Sequence, residues 1–413
     1  MENKINADFE KTFKNFSLKN ELDFKKHNLE NFIKKGFPGK KIESWKFSDL
    51  NQIINSNIGE LNFYTDSGKK NLIDRSLIVK NFEHNKIVFI NGKLEETDFN
   101  FEDESKVQIS EGLSDQKNFF KENSLLNLNN AFCKKFYNIT IKTNYTMKKP
   151  LIVYHVTNKD INLTTVNSQL NFYLEKNSLL KIIDIYEDQS EKNFLNTFYN
   201  FSLKENATLK NFKIDNSQNN NIKYSFNNIE QEKNSISETF ILSNGSKFLK
   251  NEINCNLNGK YSSAFINGVF SLNSNKHHEI RTSVNHLVEN TKSYQLIKSV
   301  LDDKSKSVYQ GKIYVNPEAQ KTDGYQLSKC ILLDKNTEFN AKPELEIYAD
   351  DVKCSHGSAS GSLNEDSVFY LRSRGLNYKQ AKKLLISGFL LDVIEKITDE
   401  DVKNFIKEIM EFN

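Results

Sequence analysis

The sequence predicts a mostly-β chain in which stacked β-coils form the core, residues 135–362. An N-terminal α/β region that is mainly helical, 1–134, precedes it, and a C-terminal helical region, 363–413, follows. Three observations carry this. From about Tyr137, β-branched and aromatic residues alternate with polar ones between Asn-containing turns. The phrase Phe172-Tyr-Leu-Glu-Lys-Asn-Ser-Leu-Leu-Lys returns as Phe201-Ser-Leu-Lys-Glu-Asn-Ala-Thr-Leu-Lys. After Gly361 the apolar period lengthens again to that of a helix.

At the N-terminus, Ile5, Phe9, Phe13 and Phe16 stand three or four residues apart, one apolar stripe on a charged segment. Leu29–Ile33 continues it until Gly36-Phe37-Pro38-Gly39 breaks the helix. Lys86–Ile90 reads as a strand, and Asn91-Gly92 after it favours a tight hairpin. A helical segment near Phe119–Phe132 closes the region.

In the core, a strand–Asn turn–strand unit recurs at roughly 25–30 residues, with looser echoes near Phe226 and Ile253. A unit that short cannot bury its apolar face alone, so successive units must stack as a solenoid or β-helix. The alternative is a β-sandwich with evenly spaced hairpins. In the C-terminal region Asn377 pairs with Gln380 as a capping box, and Thr398 with Asp401 reads as a second. Ala381, Leu384, Leu385, Gly388 and Phe389 share one face; Val402, Phe405, Ile406, Ile409 and Met410 share another. Such a helical pair either plugs an open end of the core or presents a docking face.

Composition excludes several classes. The 57 basic and 54 acidic residues leave a net charge of +3, without the basic excess that neutralises phosphates, so no nucleic-acid partner is expected. Abundant Lys and Asn read as a compositional bias. No apolar run reaches the eighteen or so residues of a membrane span. Met1-Glu2-Asn3-Lys4 runs into charged sequence without an apolar leader, so a cytoplasmic location is expected. Cys133, Cys255, Cys330 and Cys354 form no C-x-x-C pair and no disulfide framework. Gly39-Lys40, Gly92-Lys93, Gly259-Lys260 and Gly311-Lys312 are not followed by Ser or Thr, so no phosphate loop exists. Neither G-x-S-x-G nor H-E-x-x-H occurs.

Two clusters of soft ligands remain. His277-His278-Glu279 with His286 offers three imidazoles, but on a strand His277 and His278 point to opposite faces, which favours a structural role. Cys354-Ser355-His356-Gly357 places a thiol and an imidazole on one face of an extended segment, half a site for iron, zinc or copper. The competing reading is a buried strand-end cysteine beside a turn glycine. Cys330 would lie one coil below Cys354 if the repeat persists.

A series of phrases then stands in order: Ser293-Tyr-Gln-Leu-Ile-Lys, Gln310-Gly-Lys-Ile-Tyr-Val, Ala319-Gln-Lys-Thr-Asp-Gly-Tyr-Gln, Pro343-Glu-Leu-Glu-Ile, Asp350-Asp-Val-Lys-Cys-Ser-His-Gly, Phe369-Tyr-Leu-Arg-Ser-Arg-Gly and Leu384-Leu-Ile-Ser-Gly-Phe. It resembles the SufB/SufD family of iron–sulfur cluster assembly scaffolds. Glu43-Ser-Trp-Lys-Phe-Ser-Asp-Leu and the scattered cysteines are similar to the SufD branch. The resemblance implies a right-handed parallel β-helix and a non-enzymatic scaffold of the SUF (SufBCD) system. It implies a SufB-type paralogue as heterodimer partner and a SufC-type ABC ATPase on the C-terminal helices, at Leu384, Leu385, Phe389, Phe405 and Ile406. It also implies that His356, with Cys354 beside it, lies at the partner interface where a cluster is assembled transiently, His356 being a metal ligand shared with the partner. No stably bound cofactor is expected in this chain alone. A SufB-like cluster-binding subunit and a stand-alone polysaccharide-active β-helix enzyme are the alternatives.

Overall fold

The computed structural model describes residues 2–14, 18–63, 74–113 and 123–411. Phe16 and the segment 119–122, which the sequence places in helices, lie outside the described residues. The N-terminal part holds α1 (Glu2–Phe13), α2 (Lys19–Lys35), α3 (Leu50–Asn57), the strands β1 (Asn85–Ile90), β2 (Lys93–Asp98) and β3 (Val107–Glu111), and α4 (Ser124–Phe132). The solenoid strands follow as β4 (Tyr137–Ile141), β5 (Leu151–Thr157), β6 (Thr165–Leu174), β7 (Leu179–Asp188), β8 (Phe194–Leu203), β9 (Thr208–Asp215), β10 (Ile222–Gln231) and β11 (Ile236–Ser243). They continue as β12 (Phe248–Leu257), β13 (Ser263–Leu272), β14 (His277–His286), β15 (Lys292–Leu301), β16 (Lys306–Val315), β17 (Asp323–Leu332), β18 (Glu338–Ile347) and β19 (Lys353–Ser362). The chain closes with α5 (Glu365–Ser373), α6 (Tyr378–Ile394) and α7 (Glu400–Ile409).

Odd-numbered strands from β5 to β19 pair in parallel with β1 in one sheet, and even-numbered strands from β4 to β18 pair in parallel in the other. The chain crosses from sheet to sheet at every turn. That is a β-solenoid, since a sandwich of hairpins would pair its consecutive strands antiparallel. Phe172, Phe201, Ile229, Cys255, Val284, Ile313 and Leu345 form one inward column, each in register with the next. The echoes near Phe226 and Ile253 are therefore displaced: Phe226 pairs with Phe198 on the outer face, and Ile253 pairs with Asn227.

Corners are made by residues in the left-handed region. Asn144, Asn177, Asn206 and Asn234 have φ of 57, 57, 59 and 57°. Asn tolerates that region because its short amide bonds locally. Here the amides also bond to one another: Asn177 Nδ2 donates to Asn144 Oδ1 (2.6 Å), Asn206 to Asn177 (2.8 Å) and Asn234 to Asn206 (3.0 Å). Lys176–Glu205 and Lys204–Glu232 ion pairs, at 2.7 and 2.6 Å, flank these corners. Part of the Asn and Lys content thus has a structural use.

The two helical regions cover the two outer faces. Ile5, Phe9, Phe32, Trp45, Leu125 and Leu128 pack against Phe194, Phe198, Tyr224 and Phe248 of the even-numbered sheet. Leu390, Val393, Ile394, Val402 and Ile406 pack against Tyr154, Ile183, Phe240 and Val269 of the odd-numbered sheet. The C-terminal helices therefore lie along the solenoid and do not plug its end. Asn377 and Gln380 form the expected capping box, whereas α7 is capped by Asp399, which accepts from Val402 N at 3.2 Å. Thr398 instead donates to Glu238 Oε2 on β11 (3.0 Å).

The two ends of the solenoid differ. At the first coils, Asn91 (φ 50°) and Gly92 (φ 78°) turn β1 into β2, an antiparallel hairpin, and β3 pairs antiparallel with β4. Reversed, charged edge strands stop further parallel stacking. At the other end β18 and β19 each have one pairing edge unoccupied.

Candidate functional site

At the open end the alternation of a strand still sends every second side chain inward, but no next coil covers it. Cys354 and His356 are register partners of Gly324 and Gln326, both buried, so they share the inward face. Cys354 is half-buried and packs, like Leu345 and Val352, against the cluster of Ile313, Val315, Ala319 and Ala349, and His356 is exposed. Partial burial pushes the Cys354 thiol up, toward the neutral form. Two residues of strand separate their Cα atoms by about 7 Å. Leu345 and Ile347 face the same opening from β18, and Ile347 is 37% exposed. Gly357 lies within β19 and is not a turn residue; a Cβ there would stand 3.0 Å from Leu327 Cδ1.

Cys330 does not join this site. It pairs with Ser360, six positions along from the Gly324–Cys354 pair, or about 20 Å. It is buried, and burial pushes its thiol up to about 12. Cys133 and Cys255 are likewise buried, their thiols pushed up to about 11 and about 12.

His277 and His278 do point to opposite faces. His277 Nε2 lies 2.8 Å from Glu279 Oε1 on the outside. His278 Nε2 donates to the Ser246 carbonyl and Nδ1 accepts from Ser243 Oγ, both at 2.7 Å. His286 Nδ1 donates to Thr291 Oγ1 (2.7 Å), whose own proton goes to Val288 O, and Nε2 accepts from Ser293 Oγ (2.9 Å). Both inward imidazoles are neutral and have no nitrogen left for a metal. Among the described residues no group of three or more His, Cys, Asp or Glu is placed to hold a metal ion. Cys354 and His356 are two ligands at most.

Apolar residues of the C-terminal helices are mostly spent on the sheet. Ile406 is fully buried, and Phe405 stacks on Phe82 at 5.3 Å. Phe389 is half-buried beneath Lys298, whose ammonium sits 4.5 Å from the ring centre. Leu385 is half-buried against the α5–α6 contact. Of the five residues expected to dock the ATPase, Leu384 is the exposed one, at 53%. On α5 and α6 the exposed rings are Phe369, Tyr370 and Tyr378. Phe369-Tyr370 stands in a phrase that carried the resemblance, but helical spacing alone did not mark it as surface.

A groove of about 670 Å³ runs between α6 and the outer face of β9–β17. Its two carboxylates are engaged, Asp392 by Lys298 (2.7 Å) and Glu238 by Thr398. No free acid pair is available there for glycoside chemistry.

Residues 155–389, more than half the chain, match the family model described as "SUF system FeS cluster assembly, SufBD core domain". The chain belongs to the SufBD family. Among its relatives, the iron–sulfur cluster assembly protein SufD of Escherichia coli is 27% identical over 91% of this chain and 89% of its own length. A SufBD family protein of Synechocystis is 55% identical over 14% of this chain and 13% of its own length. The chloroplastic protein ABCI7 of Arabidopsis thaliana is 48% identical over 16% and 14%. This SufBD protein thus has the solenoid and the family phrases together, and both place Cys354 and His356 in the matched region. No helix among its described residues is long and apolar enough to cross a membrane.

Proposed function

We propose that this SufBD protein is the SufD-type scaffold subunit of a cytoplasmic iron–sulfur assembly complex, without catalytic turnover of its own. The open end carries the reading. Unpaired edges on β18 and β19 accept a further coil, and the half-exposed Leu345 and Ile347 gain from being covered. A SufB-type paralogue with the same solenoid supplies such a coil, continuing both sheets across the junction. Cys354 and His356 then face the enclosed space, and the partner contributes the remaining ligands. Iron and sulfide are cargo at this junction, not a resident cofactor. Buried Cys133, Cys255 and Cys330 disfavour the SufB-like alternative, in which this chain alone holds the cluster.

The SufC-type ABC ATPase is assigned to the exposed rings of α5 and α6, with Leu384. Nucleotide hydrolysis falls to that partner: Gly311-Lys312 lies inside β16 and Gly92-Lys93 in a hairpin, neither opening a helix as a phosphate loop does. Co-expression with both partners and native mass measurement tests the arrangement. Leu345→Glu should abolish the SufB-type contact and leave ATPase capture intact. A wild-type yield of the complete complex from Leu345→Glu would exclude end-on pairing.

A further inference from the structure

Three of the phrases that carry the resemblance meet at one place inside the solenoid. Gln295 of β15 and Gln326 of β17 are register partners, and His356 of β19 is the next residue in that inward column. Tyr309 of β16 reaches across, its hydroxyl 3.1 Å from Oε1 of both glutamines. Gln326 Nε2 donates to the Glu344 carbonyl of β18 at 3.4 Å. Gln295, Tyr309 and Gln326 are all buried. Gly311 faces the same space, where a Cβ would collide with Gln326 Oε1 and the Tyr309 hydroxyl. The glycine of Gln310-Gly311 therefore makes room for the cluster.

A tyrosine hydroxyl has one proton and cannot donate to two carbonyls at once. Gln295 Nε2, meanwhile, is buried without a partner. A half-turn of the Gln295 amide removes the conflict at the hydroxyl and gives Nε2 a partner, with Oε1 taking the place that Nε2 held. Gln295 Nε2–H then donates to Tyr309, Tyr309 to Gln326 Oε1, and Gln326 Nε2–H to Glu344 O. Each group has a single direction in this chain, and the Gln326 amide is held at both ends.

We propose that Gln326, locked by Tyr309 and Glu344, is a positioning residue for His356. Neighbouring strands lie about 4.8 Å apart, so the fixed amide is a floor against which the imidazole rests. Among the described residues the His356 ring makes no side-chain hydrogen bond, and the residue is exposed. The floor keeps the imidazole turned toward the open mouth, ready for an incoming ligand. This role rests on the reading of the open end as the assembly junction, and the test separates the two.

The full chain, labelled at histidine Cε1, is compared by NMR with Tyr309→Phe and Gln326→Met; His356→Ala assigns the signal. Both variants should move the His356 resonance and leave those of His84 and His155, at the far end, in place. In the assembled complex both should lower cluster yield by on the order of tenfold. An unmoved His356 resonance in both variants overturns the positioning role, whatever happens to the yield. A moved resonance with full yield from both variants and from His356→Ala supports the positioning role and overturns the junction reading. If Tyr309→Phe does not fold, Gln326→Met alone decides, since it keeps the length of the side chain and removes only its hydrogen bonds.

Discussion

Phe172 lies directly over Phe201 inside the solenoid, ring centres 5.0 Å apart and planes 12° from parallel. These two residues open the two copies of the repeated phrase, so one contact shows the period of the sequence as the pitch of the stack. Both rings are buried, and Phe201→Ala leaves a cavity between coils. The expected loss is about 3–5 kcal/mol in urea unfolding. A loss below about 1 kcal/mol would mean that the coils do not stack in this register.

Acid should loosen two buried imidazole sites before most carboxylates titrate; Glu187, which burial pushes up to about 7, acts in the opposite sense. Burial pushes His278 and His286 down to about 4, while in the unfolded chain they titrate near 6.5. Their contribution is fully present above about pH 6.5 and is lost as pH falls toward 4, because these two imidazoles take up protons in that window only in the unfolded state. Each is worth about 3 kcal/mol over the full interval. Because burial also pushes His84 down and Glu187 has the opposite sign, the check is a difference. His286→Gln should make the fall of unfolding free energy between about pH 6.5 and pH 5 shallower than wild type by about 1 kcal/mol per pH unit. An unchanged slope in His286→Gln would show that this imidazole takes up its proton as readily in the fold as in the unfolded chain.

The helical face can be dissected by position. Ile406→Asp buries a charge against the odd-numbered sheet and should prevent folding or cost more than about 3 kcal/mol. Leu384→Asp, at an exposed site, should leave the melting temperature unchanged and reduce capture of the ATPase. Deleting residues 363–413 uncovers Tyr154, Ile183 and Phe240, and the expected product is an aggregate. A soluble, monomeric truncated core with native circular dichroism would contradict the packing described.

At the open end, His356→Ala should keep stability within about 0.5 kcal/mol, as exposed substitutions do, while cluster yield per assembled complex falls. Cys354→Ser should have the smaller effect, since the thiol is half-buried and held neutral. Wild-type yield from His356→Ala would leave the chain a purely structural subunit.

The solenoid was legible because its signal is local and repeated: alternation, corner asparagines and a returning phrase all describe one coil. The shared face of Cys354 and His356 was legible for the same reason, since period two needs no tertiary information. Register was not. The displaced echoes at Phe226 and Ile253 arise because coils differ by a few residues at their corners, and spacing cannot say which corner takes the insertion. Cys330 was misplaced on that account. Phe405 and Ile406 read as surplus apolar surface because helical periodicity shows that a face is apolar, never what covers it. The Gln295–Tyr309–Gln326 cluster joins three strands from two sheets, and no spacing rule brings those together.

The corner column of Asn144, Asn177, Asn206 and Asn234 gives the molecule a clock as well as a turn. Asn177 and Asn206 each donate to one neighbour and accept from the other, so the column works only while these inner rungs keep both functions. Spontaneous deamidation at Asn206 would set a carboxylate oxygen against Asn177 Oδ1, lone pair to lone pair, while tightening the contact from Asn234. A second event next to it would place two negative charges one strand spacing apart. Chemical ageing at this exposed edge would therefore act cooperatively, loosening the corner of several coils from damage to one.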